Sequence, residues 1–377
     1  YTASLYNGLS RLFGMAFHID YSVCVVVMAV LTGVYVIAGG YMATAINDFI
    51  QGIIMLVGIV AVIAAVLNSQ GGFMAALDGL AQVSDPAASS TPGVFASFFG
   101  PDPLNLLGVV LLTSLGTWGL PQMVQKFYAI RNEKAIDSGT VISTLFALVV
   151  AGGCYFLGGF GRLFSDRIDI AANGYDSVVP TMLSGLPDLL MAVVVILVLS
   201  ASMSTLSSLV LTSSSTLTLD LLKSHVVKDM SEKRQILVMR CLVVVFIAIS
   251  VVLAIIQYKS NVTFIAQLMG ISWGALAGAF LAPFLYGLYW KGATKVACWA
   301  SFLFSVAVML ANIAVPHLFP AVLQSSINAG AFCMVAGLVI VPVVSLFTRK
   351  PDRHLVDRAF SCYGQKVVVE QRQALGD

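Results

Sequence analysis

Polar groups inside long apolar runs are the residues of this sequence that could do chemistry. Asp48, in Ala45-Ile46-Asn47-Asp48-Phe49-Ile50-Gln51-Gly52, is the acidic residue set deepest in such a run. A carboxylate at the centre of a bilayer costs about 2.5–3.5 kcal/mol on insertion scales, so it calls for a cavity or a cation. Asp48 also lies about two turns from one end of its run, where water and a helix N-terminus could satisfy it instead.

A second concentration lies in residues 200–218, where twelve side chains are hydroxyls. Ala201, Ser204, Thr205, Ser208, Thr212 and Ser215 recur at spacings of three and four, which puts them on one helical face. Paired hydroxyls at Ser204 and Thr205, with the Ala201 carbonyl one turn earlier, offer oxygen ligands to a small hard cation without a full buried charge. Ser and Thr also let membrane helices pack closely and bond back to their own backbone, which would produce the same stripe.

The third is Leu115-Gly116-Thr117-Trp118-Gly119-Leu120-Pro121-Gln122. Two glycines and a proline interrupt a helix there and free backbone donors and acceptors. Trp118, Gln122 and Gln125 then supply an aromatic wall and neutral hydrogen-bonding groups for a small organic solute. A plain proline kink is the alternative.

The elements that hold these residues are membrane helices. The chain has 377 residues, 59% apolar and only 10% charged, with a mean hydropathy of +0.94. That is too few charges to cover a water-facing surface. A net charge of +2, with no Lys/Arg block, excludes a nucleic-acid footprint. The six cysteines stand singly and read as packing residues rather than disulfides or metal ligands. A bilayer core needs about 20 apolar residues in helix, and that ruler gives a partial span at 1–17 and full spans at 21–38, 42–67, 104–129, 139–163, 187–219, 236–257, 262–289, 294–316 and 327–347. The spans at 21–38 and 42–67 are joined by a tight re-entry. Residues 68–103 form a loop without Lys or Arg, read as a surface connector, and the opening at Tyr1 reads as the interior of an element.

Basic residues orient the spans. Sixteen of the 20 Lys and Arg fall on one side, leaving Arg11, Arg162, Arg167 and Lys259 opposite. The C-terminus is therefore expected in the cytoplasm and the protein in the cell membrane.

Taken in order along the chain, these residues resemble the sodium:solute symporter family. Gly39-Gly40-Tyr41-Met42-Ala43 with Asn47-Asp48-Phe49-Ile50-Gln51-Gly52 is similar to the family's Gly-Gly and Thr-Asp-x-x-Gln stretch, with Asn47 in place of Thr. Gly119-Leu120-Pro121-Gln122 through Lys126 is similar to its broken-helix segment, with Lys126 in place of Arg. Ser202-Met203-Ser204-Thr205-Leu206-Ser207 lies where the family binds sodium. The resemblance implies an all-α integral membrane protein of leucine-transporter type, an inverted-repeat helix bundle of about nine full spans and one partial one. It places the end of the first repeat at 1–67, an extracellular loop at 68–103, the second repeat at 104–289, two further helices at 290–347 and a cytoplasmic tail at 348–377. The opening broken helix of the first repeat would lie upstream of Tyr1.

The resemblance also implies sodium ligation by Ala201, Ser204 and Thr205, an ion-linked carboxylate at Asp48, and solute contacts from Trp118, Gln122, Gln125 and Gln267. Gln267 could equally be a helix-packing amide. The expected activity is sodium-coupled symport of a small organic solute by alternating access. Sodium is the coupling ion, the lipid bilayer and solute are the partners, and no organic cofactor or obligate protein partner is called for. A membrane-embedded enzyme fits poorly, because His18, His225, His317 and His354 lie at span edges or beyond them, and Asp48 has no second buried acid. A transporter-like sensory module of a larger signalling protein is the other alternative.

Overall fold

A computed structural model describes residues 1–86, 88–127, 130, 133–168, 174–260 and 265–364, with the side chains at 40–44, 125, 126, 133, 260 and 364 left aside. The main helices are α1 (Thr2–Phe17), α2 (Tyr21–Ser69), α3 (Phe73–Gln82), α4 (Pro103–Gly119), α5 (Pro121–Phe127), α6 (Glu133–Gly159), α7 (Asp188–Ser215), α8 (Glu232–Ser260), α9 (Ile265–Tyr289), α10 (Lys295–Ala314) and α11 (Ser326–Phe347). Among the described residues the only strand-like pairing is a single bridge between Asp85 and Ser89. Continuous apolar runs produce helices because hydrocarbon requires every backbone group to be paired within its own segment. Among the described residues, eight segments are long and apolar enough to cross a bilayer.

The expected span at 104–129 is not one of the eight. Leu120 adopts an extended conformation (φ −83°, ψ 121°) and divides it into α4 and α5. Pro121 opens α5, the position in a helix where a missing N–H costs nothing.

Helix starts follow local side chains. Asp20 Oδ1 accepts the amides of Ser22 (2.8 Å) and Val23 (3.4 Å) at the head of α2. Asp102 accepts the Asn105 amide at 3.0 Å ahead of α4. Gly71 and Gly72, at φ +83° and +100°, end α2, and the Gly72 amide returns to the Leu67 carbonyl at 2.8 Å.

α2 is helical across 49 residues, yet it is not straight. Asn47 Nδ2 donates to the Tyr35 hydroxyl at 2.9 Å. Twelve residues of straight helix rise about 18 Å, more than these two side chains can bridge. The helix therefore bends sharply between Tyr35 and Asn47.

Two elements differ from expectation. The stretch 68–103 is more than a connector, since it contains α3, whose Ala76 and Leu80 are buried with Phe160. Phe73, Ala76 and Leu80 recur at helical spacing and supply the apolar face. The helix expected to end at 219 continues beyond α7 as a π-helix, Thr216–Val226.

The chain packs as two compact units, residues 1–101 with 145–265 and residues 102–144 with 266–377. In the first, Tyr6, Leu9, Val25, Leu206 and Val210 share one buried cluster and Val62, Val66, Met182 and Val194 another. In the second, Leu112, Ala277, Leu281 and Met334 cluster together. Lipid tails are as apolar as leucine, so small residues that allow close approach hold such helices together. Gly119 shows this, since a Cβ there would stand 2.8 Å from the Ala277 carbonyl oxygen.

Candidate functional site

The hydroxyl stripe lies on α7 in the first unit. Ser200, Ser202, Ser207 and Ser214 are buried, and Ala201, Ser204 and Thr205 are half-buried. Thr205 Oγ1 donates to the Ala201 carbonyl at 3.1 Å, and Ser207 Oγ to the Ser204 carbonyl at 2.9 Å. Ser214 and Ser215 likewise bond back one turn, each at 3.0 Å. This back-bonding is what close helix packing asks of hydroxyls, and it also suits a cation. A hydroxyl whose proton is committed to a carbonyl can offer only lone pairs to anything else.

α2 packs extensively along α7. Thr32 Oγ1, which donates to the Met28 carbonyl at 2.7 Å, lies 3.5 Å from Met203 Sδ. Gly58 meets Leu197 so closely that a Cβ would stand 2.7 Å from Leu197 Cδ1. Asp48 is half-buried on α2, its Oδ1 shielded from the surface. Gln51, three residues on and so on the same face, has a buried Oε1 that accepts no hydrogen bond among the described residues. Asn47 is committed to Tyr35, which gives the residue replacing threonine a structural task.

The residues read as solute contacts fall in the second unit. Trp118 and Gln122 flank the break at Leu120, with Trp118 61% exposed and Gln122 buried. Gln125 is helical in α5, and its side chain lies outside the described set. Gln267 is half-buried in the first turn of α9, where its backbone carbonyl accepts from Ser326 Oγ at 3.1 Å. The ion-directed and solute-directed residues thus belong to different units. The aromatic packed against α4 is one that sequence reasoning missed: a Cβ on Gly116 would lie 2.7 Å from Trp273 Cε3. Gly116, one turn before the break, was the available signal.

Comparison with known proteins gives a consistent set of relatives. Residues 1–305 match the Sodium:solute symporter family. A sodium/proline symporter of Staphylococcus aureus is 28% identical over 362 residues, covering 93% of this chain and 67% of its own length. The osmoregulated proline transporter OpuE of Bacillus subtilis is 25% identical over 354 residues, with 94% and 69% covered. A solved structure described as the substrate-bound outward-open state of a Na+-coupled sialic acid symporter matches with a TM-score of 0.63 at 15% identity, over 93% of this chain and 75% of that one. That last likeness is one of fold.

Proposed function

Because the chain belongs to the sodium:solute symporter family, a family of membrane transporters and not of enzymes, we propose that it carries a small zwitterionic amino acid of the proline class across the cell membrane together with sodium. Its leucine-transporter-type helical fold accords with this. The observation that carries the ion half of the reading is the α7 stripe, where Thr205 Oγ1 is bonded to the Ala201 carbonyl at 3.1 Å. The Ala201 carbonyl and the hydroxyl oxygens of Ser204 and Thr205 are hard, uncharged donors suited to sodium. Asp48 is the ion-linked carboxylate, carried on α2, which packs along α7. Trp118, Gln122, Gln125 and Gln267 are the solute-facing residues, and two relatives named as proline transporters support the solute class. The C-terminus is cytoplasmic, supported by the bias of basic residues.

Coupling needs no covalent step. Sodium favours the state that binds solute, and by linkage solute tightens sodium binding by the same factor. Each sodium entering down 100 mV adds about 2.3 kcal/mol of drive. Thermal stabilisation of the full-length protein by L-proline tests the reading. A shift in sodium well above that in potassium is expected, and equal shifts in the two salts would contradict it.

A further inference from the structure

α9 and α10, both long and apolar enough to cross a bilayer, border a groove of about 270 Å³. Ala279, Phe280 and Pro283 line it from α9, and Cys298, Trp299 and Phe302 from α10. Ala279 is small and buried at its base. Pro283, one turn on, has no N–H for the Ala279 carbonyl, and its ring crowds that carbonyl, so α9 cannot close up there as a regular helix does. Aromatic rings form the walls. Phe302 meets Phe280 with centroids 5.7 Å apart and planes at 71°, and Trp299 at 5.6 Å and 75°. Such edge-to-face contacts fix the rings, while Phe280 and Trp299 keep an exposed surface.

A charge stands at one end of this apolar groove. Lys295, Cys298, Trp299 and Phe302 recur at spacings of three and four, which puts Lys295 on the groove face of α10. Helical side chains lean toward the N-terminus, so Lys295, the first residue of α10, reaches out of the groove toward the membrane surface. It is exposed and forms no ion pair among the described residues, whereas Lys291 is paired with Asp357 at 2.9 Å. Thr294 Oγ1 lies 2.7 Å from Thr348 Oγ1, which brings the exposed Arg349 and Lys350 to the same end of the helices.

The dimensions and charge fit one lipid. From Lys295 to Phe302 α10 rises about 10 Å, and one leaflet of the apolar core is about 15 Å deep. An acyl chain lying along the groove therefore sets its phosphate level with Lys295. A polar solute would lose its water among these side chains without gaining partners. A second copy of the chain would need about 20–30 residues a side for a stable interface, and six line this groove. We propose that the groove is a binding site for a single anionic phospholipid, with one acyl chain among Phe280, Trp299 and Phe302 and the phosphate on Lys295. It goes beyond the transport reading and does not depend on it.

Tryptophan fluorescence of the full-length protein in nanodiscs tests this, with dibrominated phosphatidylglycerol or phosphatidylcholine replacing the matched unbrominated lipid. The Trp299 signal is the difference from Trp299→Phe. Half-maximal quenching is expected at a mole fraction of phosphatidylglycerol about fivefold below that of phosphatidylcholine, the preference one lysine near a headgroup supplies. Lys295→Gln brings the two lipids within twofold of each other. Cys298→Phe fills the groove and does the same with the charge intact, and Lys233→Gln, a basic residue at the head of α8, leaves the preference unchanged. Equal quenching by both lipids in the parent, a preference that survives Lys295→Gln or Cys298→Phe, an equal loss in Lys233→Gln, or no quenching by either lipid because another protein covers the groove would each overturn the proposal. The measurement uses neither sodium nor solute, so its failure leaves the symport reading standing, and failure of sodium-driven uptake leaves this site standing.

Discussion

Thr205 Oγ1 is hydrogen-bonded to the carbonyl of Ala201, 3.1 Å away and one helical turn earlier. The bond fixes the hydroxyl proton on the helix and turns the oxygen's lone pairs outward. Thr205→Ala removes a proposed sodium ligand and frees the carbonyl, so half-maximal uptake should require at least tenfold more sodium. Thr205→Ser keeps the oxygen and should stay within about threefold of the parent. Uptake measured against sodium concentration checks both.

The bend in α2 is tied by the bond from Asn47 to Tyr35 at 2.9 Å. Tyr35→Phe deletes the acceptor while keeping the ring, and should cost about 1 kcal/mol. Chemical denaturation in detergent micelles gives that value. Asn47→Thr, which restores the residue usual in the family, should cost a similar amount because its shorter side chain lacks the amide donor.

Gly119 lies against backbone, with a Cβ position 2.8 Å from the Ala277 carbonyl oxygen. Gly119→Ala should therefore destabilise by about 1–3 kcal/mol, the range for forced overpacking. Gly139, where nothing lies within 4 Å of a Cβ, is the control. Gly139→Ala should be neutral or stabilise by up to about 1 kcal/mol through helix propensity.

Asp176 provides a pH signature. Burial raises its carboxyl above the ordinary value of 3.8, opposed by the Ile265 amide and the Arg11 charge. The folded state then keeps this proton to higher pH than the unfolded chain does. The associated stability is fully present below 3.8 and is lost as pH rises through the folded value. Asp176→Asn should remove that slope, and Arg11→Gln should extend it to higher pH. Unfolding followed from acid to neutral pH in the parent and both variants distinguishes these outcomes.

The parts of this fold that are local in origin were legible in the sequence. Gly119-Leu120-Pro121 breaks its helix because proline and extended backbone act on their immediate neighbours. The α7 stripe follows from spacing alone. The pairing of Arg11 with Asp176 joins residues far apart in the chain, and no local pattern specifies it. Trp273 from α9 lies beside Gly116, a neighbour that no local pattern around the break specifies. The helix in 68–103 was legible in the spacing of Phe73, Ala76 and Leu80, but the neighbouring prolines and serines of that loop obscured it.

The central claim is that solute movement is driven by sodium through the α7 stripe. Full-length protein in proteoliposomes, loaded with potassium and diluted into sodium with labelled L-proline, tests this most directly. Transient accumulation above equilibrium is expected, abolished by collapsing the sodium gradient and by Thr205→Ala. Accumulation of equal size with potassium on both sides, or undiminished in Thr205→Ala, would contradict it.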